Sequence, residues 1–306
     1  MIGVQGVNVI EAMKWKVQEY PYRKSLSHEE DAHDHTHFVD FHFMSLDDQV
    51  HARALQLLHA KPPSQRSLAG LLSYLAKYRT LLLTNTLRRL NGTAILGGPF
   101  EGMVFGDQTE GCVLPKMLGC YEQELHAFIR DIPRRDYQTI LNIGCAEGYY
   151  AVGMKRLFPN IRILAYDINP AARAACLELA RNNNVVVEIG GEFKCEDFQE
   201  FADQKTLVWC DIEGAELELL DLEQAPSLAG MDMLVEIHNR PRRNVEEALL
   251  TRFARTHEIE VLEPQPHQLQ YPDFMKRISH LDQLLAQWEY RGGSTPWAVM
   301  TARRNL

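Results

Sequence analysis

Ile140-Leu141-Asn142-Ile143-Gly144-Cys145-Ala146-Glu147-Gly148-Tyr149-Tyr150 decides how the rest of the chain is read. An apolar run enters a turn with glycines at 144 and 148, and helix-forming sequence follows. Glycine has no Cβ, so such a turn lets backbone approach a ligand closely. In a doubly wound sheet the ligand lies beyond the carboxyl end of the first strand, where the strand order reverses. A second apolar run, 161–166, ends in Asp167, and Ile168-Asn169-Pro170 opens a helix. An acid at that point accepts hydrogen bonds from the ribose of a nucleoside. It also suits a helix N-cap, and that plainer role stays open.

Outward from this unit, strands and helices alternate. Apolar runs at 139–143, 161–166, 185–189, 207–210 and 233–237 predict buried parallel strands. Helical segments are predicted at 148–158, 170–182, 197–202 and 215–222, and another from about 122 to 132, stopped by Pro133. A helix at 245–256, a strand at 257–262, a helix at 279–288 and a strand at 297–302 complete the pattern. The fold class is therefore α/β, a Rossmann-like, seven-stranded, mostly parallel sheet over 92–306.

Upstream, 1–44 is an irregular segment with histidines and acids crowded between His28 and His42. Alternate histidines on an extended segment point one way and could capture a transition metal, but a solvated loop is the simpler account. Residues 45–91 form a helical module. Leu46, Val50, Ala54, Leu57 and Leu58 share a face, and Leu68, Leu71, Leu72, Leu75, Tyr78 and Leu82 recur at helical spacing. Pro62-Pro63 separates the two helices.

A net charge of -9 over 306 residues argues against a general nucleic-acid binder. Arg240, Arg242 and Arg243 form one small basic patch, placed either to meet an anionic group or to be solvated. No run reaches the length needed to span a membrane and no secretory leader is legible, so a cytoplasmic protein is expected. The six cysteines show no metal spacing and are expected as buried thiols.

The turn also discriminates between cofactors. A dinucleotide wants G-x-G-x-x-G, so that backbone packs on a pyrophosphate. Here the pattern is G-x-x-x-G, and Glu147 at the turn would repel phosphates. S-adenosyl-L-methionine, which has no pyrophosphate, is the expected cofactor. Its binding residues are expected to be Asn142, Gly144, Cys145, Ala146, Gly148, Asp167, Ile168, Glu192 and Asp211, with Tyr121 covering the methionine end.

Residues 140–148, Asp167, the block Cys210-Asp211-Ile212-Glu213-Gly214-Ala215-Glu216 and Leu234-Val235-Glu236-Ile237-His238 together resemble the FkbM-type branch of class I methyltransferases. Leu114-Pro115-Lys116-Met117-Leu118-Gly119-Cys120-Tyr121-Glu122 is similar to a segment found in part of that group. The resemblance covers about 97–302 and implies methyl transfer to oxygen, often on sugars or natural-product scaffolds. Asn142 departs from the pattern, since many methyltransferases carry an acid there.

For the chemistry, an acceptor hydroxyl must be held in line and must lose its proton. By period-two alternation Glu236 and His238 project together from the fifth strand, beside Asp211 at the end of the fourth. His238 is the expected general base, with Asp211 and Glu236 as catalytic partners and Glu213 as a further substrate contact. Asp211, Glu236 and His238 could instead hold a divalent ion such as magnesium, or orient loops only. Asp211 and Glu213 would also favour the start of the following helix by charge alone. The partner is a small-molecule methyl acceptor, with neither nucleic acid nor membrane, and a homo-oligomer is compatible with this reading. Nitrogen, peptide or protein methylation, or a non-catalytic binding role, are the alternatives.

Overall fold

The computed structural model describes residues 45–59, 64–106, 111–239 and 244–303. The histidine-rich run, Pro62-Pro63 and the arginines of 240–243 lie outside the described residues. Seven strands form one sheet: β1 Thr139–Ile143, β2 Arg162–Tyr166, β3 Glu188–Gly190, β4 Thr206–Cys210, β5 Asp232–Glu236, β6 His257–Leu262 and β7 Trp297–Ala302. Their order is β3-β2-β1-β4-β5-β7-β6. β1 to β5 run parallel, whereas β7 enters antiparallel between β5 and β6. This is a class I methyltransferase-like fold. The order reverses between β1 and β4, so their carboxyl ends open the crevice where ligands bind in such sheets.

Central position explains composition. Every residue of β1, β4 and β5 is buried, as expected for strands covered on both faces. Alternation sends Ile140, Leu207, Trp209 and Leu234 to one apolar cluster and Leu141, Ile143, Val208 and Met233 to the other. Asn142 lies in register with Ala165 on one side and Trp209 on the other. The turn helix is α5, Tyr149–Leu157, and α6 is Pro170–Asn182. Earlier helices are α1 Leu46–His59, α2 Gln65–Asn91, α3 Val113–Leu118 and α4 His126–Asp131. Later ones are α7 Glu216–Leu219, α8 Val245–Phe253 and α9 His280–Ala286.

Several expectations shift. The apolar run at 185–189 pairs as a strand only from Glu188, because Asn184 has a left-handed φ of 54° and Val186 is left exposed. The helix expected at 197–202 is a 3-10 helix, Cys195–Phe201. That expected at 122–132 divides into a 3-10 turn, Gln123–Leu125, and α4. α7 is four residues long rather than the eight of 215–222, since Leu220 leaves the helical region with φ −91° and ψ 67°.

The leucine stripe of α2 splits likewise. Ser64 starts the helix in a capping box with Ser67, and Thr80, Leu83, Thr84 and Leu87 are its buried residues. Leu83 and Leu87 belong to the same apolar cluster as Trp209 and Trp297. Arg79 clamps Asp282 of α9 with two hydrogen bonds of 2.7 and 2.8 Å. Leu68 and Leu72, expected to pack, are exposed at 58% and 71%.

Candidate active site

The cofactor turn is fixed at each glycine by a neighbouring element. Gly144 has φ +82°, and a Cβ there would fall on the carbonyl oxygen of Asp211 at the end of β4. Gly148 has φ +90° and packs on Cys176 of α6. Between them the Ala146 N–H donates to Asp167 Oδ2 at 3.0 Å, and the other carboxylate oxygen accepts from Asn169 N–H at 2.8 Å. Asn169, not Asp167, caps α6, accepting the Ala171 N–H at 2.9 Å. The plainer account of Asp167 is thereby removed: its carboxylate ties the tip of β2 to the turn. Ile168 beside it is 79% exposed, an apolar side chain presented at the rim. Glu192 is exposed on the loop after β3.

Asn142 is buried, and its Oδ1 finds no hydrogen-bond partner. Such an orphaned acceptor is costly in a closed interior. It sits one residue short of the end of β1, where a polar ligand group would satisfy it. Cys145 is buried, and its free thiol donates to the Ala146 carbonyl oxygen at 3.6 Å and lies beside the Cys176 thiol.

Glu147 corrects one argument made from the sequence. Its carboxylate is not presented to the crevice but buried in an ion pair with Lys116 of α3, both side chains under 9% exposed. The charge that was to repel phosphates is neutralised, and the discrimination against a dinucleotide rests on the glycine pattern alone. The Lys116 ammonium also lies 4.8 Å from the ring of Tyr121 and 5.3 Å from that of Tyr149. Tyr121 therefore packs over this ammonium and against the Tyr149 and Tyr150 rings.

At the ends of β4 and β5 the expected residues meet. His238 Nδ1 lies 2.8 Å from Glu216 Oε1, while Nε2 faces Glu236 at 3.4 Å, Glu213 at 3.5 Å and Asp211 at 3.8 Å. Glu216 is fully buried and also accepts the Gly214 N–H at 2.9 Å. Exposure rises outward, from Glu216 through Glu236 and His238 to Asp211 and Glu213. Burial pulls the His238 pKa down, but the Glu216 hydrogen bond and the charges of Asp211, Glu216 and Glu213 outweigh it, and the net shift is upward. Glu236 is held well above the usual carboxylate range by burial and by the neighbouring charges of Asp211 and Glu122, and it shares a hydrogen bond with Asp211. Ligand atoms of Asp211, Glu213 and His238 lie within 4.8 Å of one another, a grouping able to hold a metal ion. Glu213 thus replaces Glu236 in the set expected from the sequence.

Further charged residues surround this cluster, some of them expected and some not. Arg291 donates to Glu289 at 2.8 Å, Glu236 and Glu124 at 3.2 Å, and Glu122 at 3.3 Å. Glu122 also accepts from the Tyr150 hydroxyl, and its pKa is pushed up to about 8, mainly by burial against the pull of Arg291. Of these, Glu122 and Glu216 stood inside motifs already quoted. Arg291 and Glu289 had no local signal for this site, because the groups they join to it, Glu122, Glu124 and Glu236, lie far away in sequence.

No protein-family model matches the chain, and no curated protein matches it. Among solved structures it is similar to precorrin-6y C5,15-methyltransferase from Geobacter metallireducens GS-15. Identity is 15% over 60% of this chain and 88% of that one, at a TM-score of 0.40. It is also similar to the O-methyltransferase from Bacillus cereus in complex with SAH, at 11% identity over 82% of this chain and 97% of that one, TM-score 0.40. No helix among the described residues is long and apolar enough to cross a membrane.

Proposed function

We propose that the chain is an S-adenosylmethionine-dependent methyltransferase of the FkbM type, acting on a hydroxyl of a small molecule such as a sugar or natural-product scaffold. The observation that carries this reading is the Asp167 carboxylate, fixed at the tip of β2 by the turn that it borders. A ribose diol suits it, because each carboxylate oxygen keeps a further lone pair. The orphaned Asn142 Oδ1 suits the amino-acid end of the cofactor, and glycines at 144 and 148 let the turn close on the end of β4 and on α6. Ile168 and Glu192 would border the adenine, with the backbone of Cys145 and Ala146 and the end of β4 at Asp211 completing the cradle. Tyr121 lies on the methionine side.

When bound, S-adenosylmethionine supplies an electrophilic methyl group on a sulfonium. The chain's own task is to orient the acceptor and take its proton. In this reading His238 Nε2 receives that proton. Glu216, bonded to Nδ1, fixes the tautomer that leaves Nε2 as the acceptor and stabilises the imidazolium that forms. Asp211 and Glu213, the more exposed acids, orient the acceptor hydroxyl. Glu236, its carboxyl held well above the usual carboxylate range by burial and the charge of Asp211, shares a hydrogen bond with Asp211.

A second reading is favoured by the close grouping of Asp211, Glu213 and His238, which would bind a divalent ion such as magnesium. Glu216 then acts as the carboxylate that orients a ligating histidine.

Calorimetric titration separates these outcomes. S-adenosylhomocysteine should bind and NAD should not, and Asp167→Ala should weaken binding by about 1.5–3 kcal/mol through loss of charge-assisted hydrogen bonds. NAD binding, or unchanged affinity in Asp167→Ala, refutes the cofactor assignment. Manganese titration followed by electron paramagnetic resonance addresses the second reading: a bound-ion signal lost in His238→Ala supports it, and no bound ion in the native chain removes it.

A further inference from the structure

The proposed cofactor turn is held by one element lying outside the strand–turn–helix unit. The stretch running from α3 to Glu122 crosses the carboxyl ends of the strands and touches two things at once. Lys116 reaches the turn through Glu147, and Glu122 reaches the acid network through Arg291 and Tyr150. The stretch itself has little play. Gly119 has φ +75° and its Cα sits against the carbonyl of Gly97, so a Cβ would not fit. Gly98 is pressed in turn against the carbonyl of Gly119.

Lys116 is an unusual choice for so closed a place. It is 6% exposed, and its ammonium donates to the Glu147 carboxylate. The faces of Tyr121 and Tyr149 also lie against it, and they attract a cation through their ring quadrupoles. The ammonium thus grips the chain on both sides of Gly148: Glu147 by charge, Tyr149 by its ring. The other anchors of the turn act on its backbone, the end of β4 at Gly144, Asp167 at Ala146 and Cys176 at Gly148. Among the described residues, the hydrogen-bond partner of the Glu147 side chain is Lys116.

Burying a carboxylate is expensive unless it is paired, and removing one partner leaves an uncompensated charge inside. A deserted Glu147 carboxylate must take a proton or turn out to water, and either event redraws the backbone between Gly144 and Gly148. A hydrophobic pair of similar size would stabilise the fold as well or better, so stability alone does not account for this lysine.

We propose that Lys116 is a positioning residue for the cofactor, pinning the Glu147 side chain so that the Gly144–Gly148 turn presents backbone alone to the nucleoside. This rests on the methyltransferase reading above. Lys116 touches no substrate in this role and acts through Glu147.

The test is calorimetric titration of the full chain with S-adenosylhomocysteine, with circular dichroism and thermal unfolding on every variant. Lys116→Met and Glu147→Gln should each weaken binding roughly ten- to a hundred-fold. The double variant Lys116→Met/Glu147→Gln, which removes both charges and keeps the volumes, should recover part of the loss without reaching native affinity. If either single variant fails to fold, the double variant decides by itself: weaker binding with an intact fold supports the role. Native affinity in the folded double variant overturns it and leaves the pair as a packing device. A native chain that does not bind S-adenosylhomocysteine at all overturns the cofactor reading and this inference together. Binding by the native chain with unchanged affinity in the variants overturns this inference alone.

Discussion

His257 and Asp167 show how differently one polar side chain can serve the molecule. His257, on β6, is buried, with Nε2 2.8 Å from the Met231 carbonyl and Nδ1 2.9 Å from Thr256 Oγ1. Burial holds its pKa below the ordinary value of 6.5, against the Met231 hydrogen bond. The unfolded chain therefore binds a proton more readily than the folded one. The stability contributed is complete above pH 6.5 and is lost as pH falls through the lowered folded value. Urea denaturation at pH 7.5 and pH 5.5 should show a smaller loss of stability in His257→Gln than in the native protein; an equal loss would place the acid sensitivity elsewhere. At this scale sequence reading succeeded where chemistry and position coincide. Asp211, Glu236 and His238 lie at the ends of adjacent strands, and alternation alone brings them together. It failed at Glu147, because nothing near residue 147 announces a lysine 31 positions earlier in the chain. Arg291 failed for a similar reason, three of its four carboxylates being supplied by distant segments, Glu122 and Glu124 by one and Glu236 by another.

Among the elements, α2 carries the sharpest contrast. Over 27 residues its apolar spacing looks continuous, yet only the C-terminal half meets the core. Periodicity reports which residues share a face, not whether that face has something to pack on. Leu87→Ala, at full burial, should cost about 2–5 kcal/mol in chemical denaturation. Leu72→Ala, largely exposed, should stay within about 0.5 kcal/mol of native stability. Equal losses would mean that the outer half of the helix is packed in solution. The strands were easier to read. β1, β6 and β7 have the bounds that the sequence predicts, β1 and β7 as mainly apolar runs inside the sheet and β6 as an alternating strand at its edge. β3 shows the limit. Val185-Val186-Val187 has strong strand propensity, but the chain reaches β2 only at Glu188, so the run serves as approach and not as ladder.

For the molecule as a whole, the proposed cofactor would join the ends of β1, β2 and β4 with the loop after β3. A ligand bound only by the folded chain stabilises it by mass action, about 2.7 kcal/mol at a hundred times its dissociation constant. S-adenosylhomocysteine at that excess should raise the urea midpoint accordingly, and Asp167→Ala should need correspondingly more ligand for the same rise. A midpoint insensitive to ligand would mean that binding, if present, is confined to a part that opens independently of the sheet. Sheet order has a consequence for how the chain is made. β7 is the last strand in sequence, yet it fills an interior place between β5 and β6. Until residues 297–302 leave the ribosome, β6 has no partner in the sheet and β5 presents a bare edge. Translation that stops short of this strand therefore yields a chain with its sheet divided, and exposed edges of that kind recruit other strands. Sheet closure waits on the final strand.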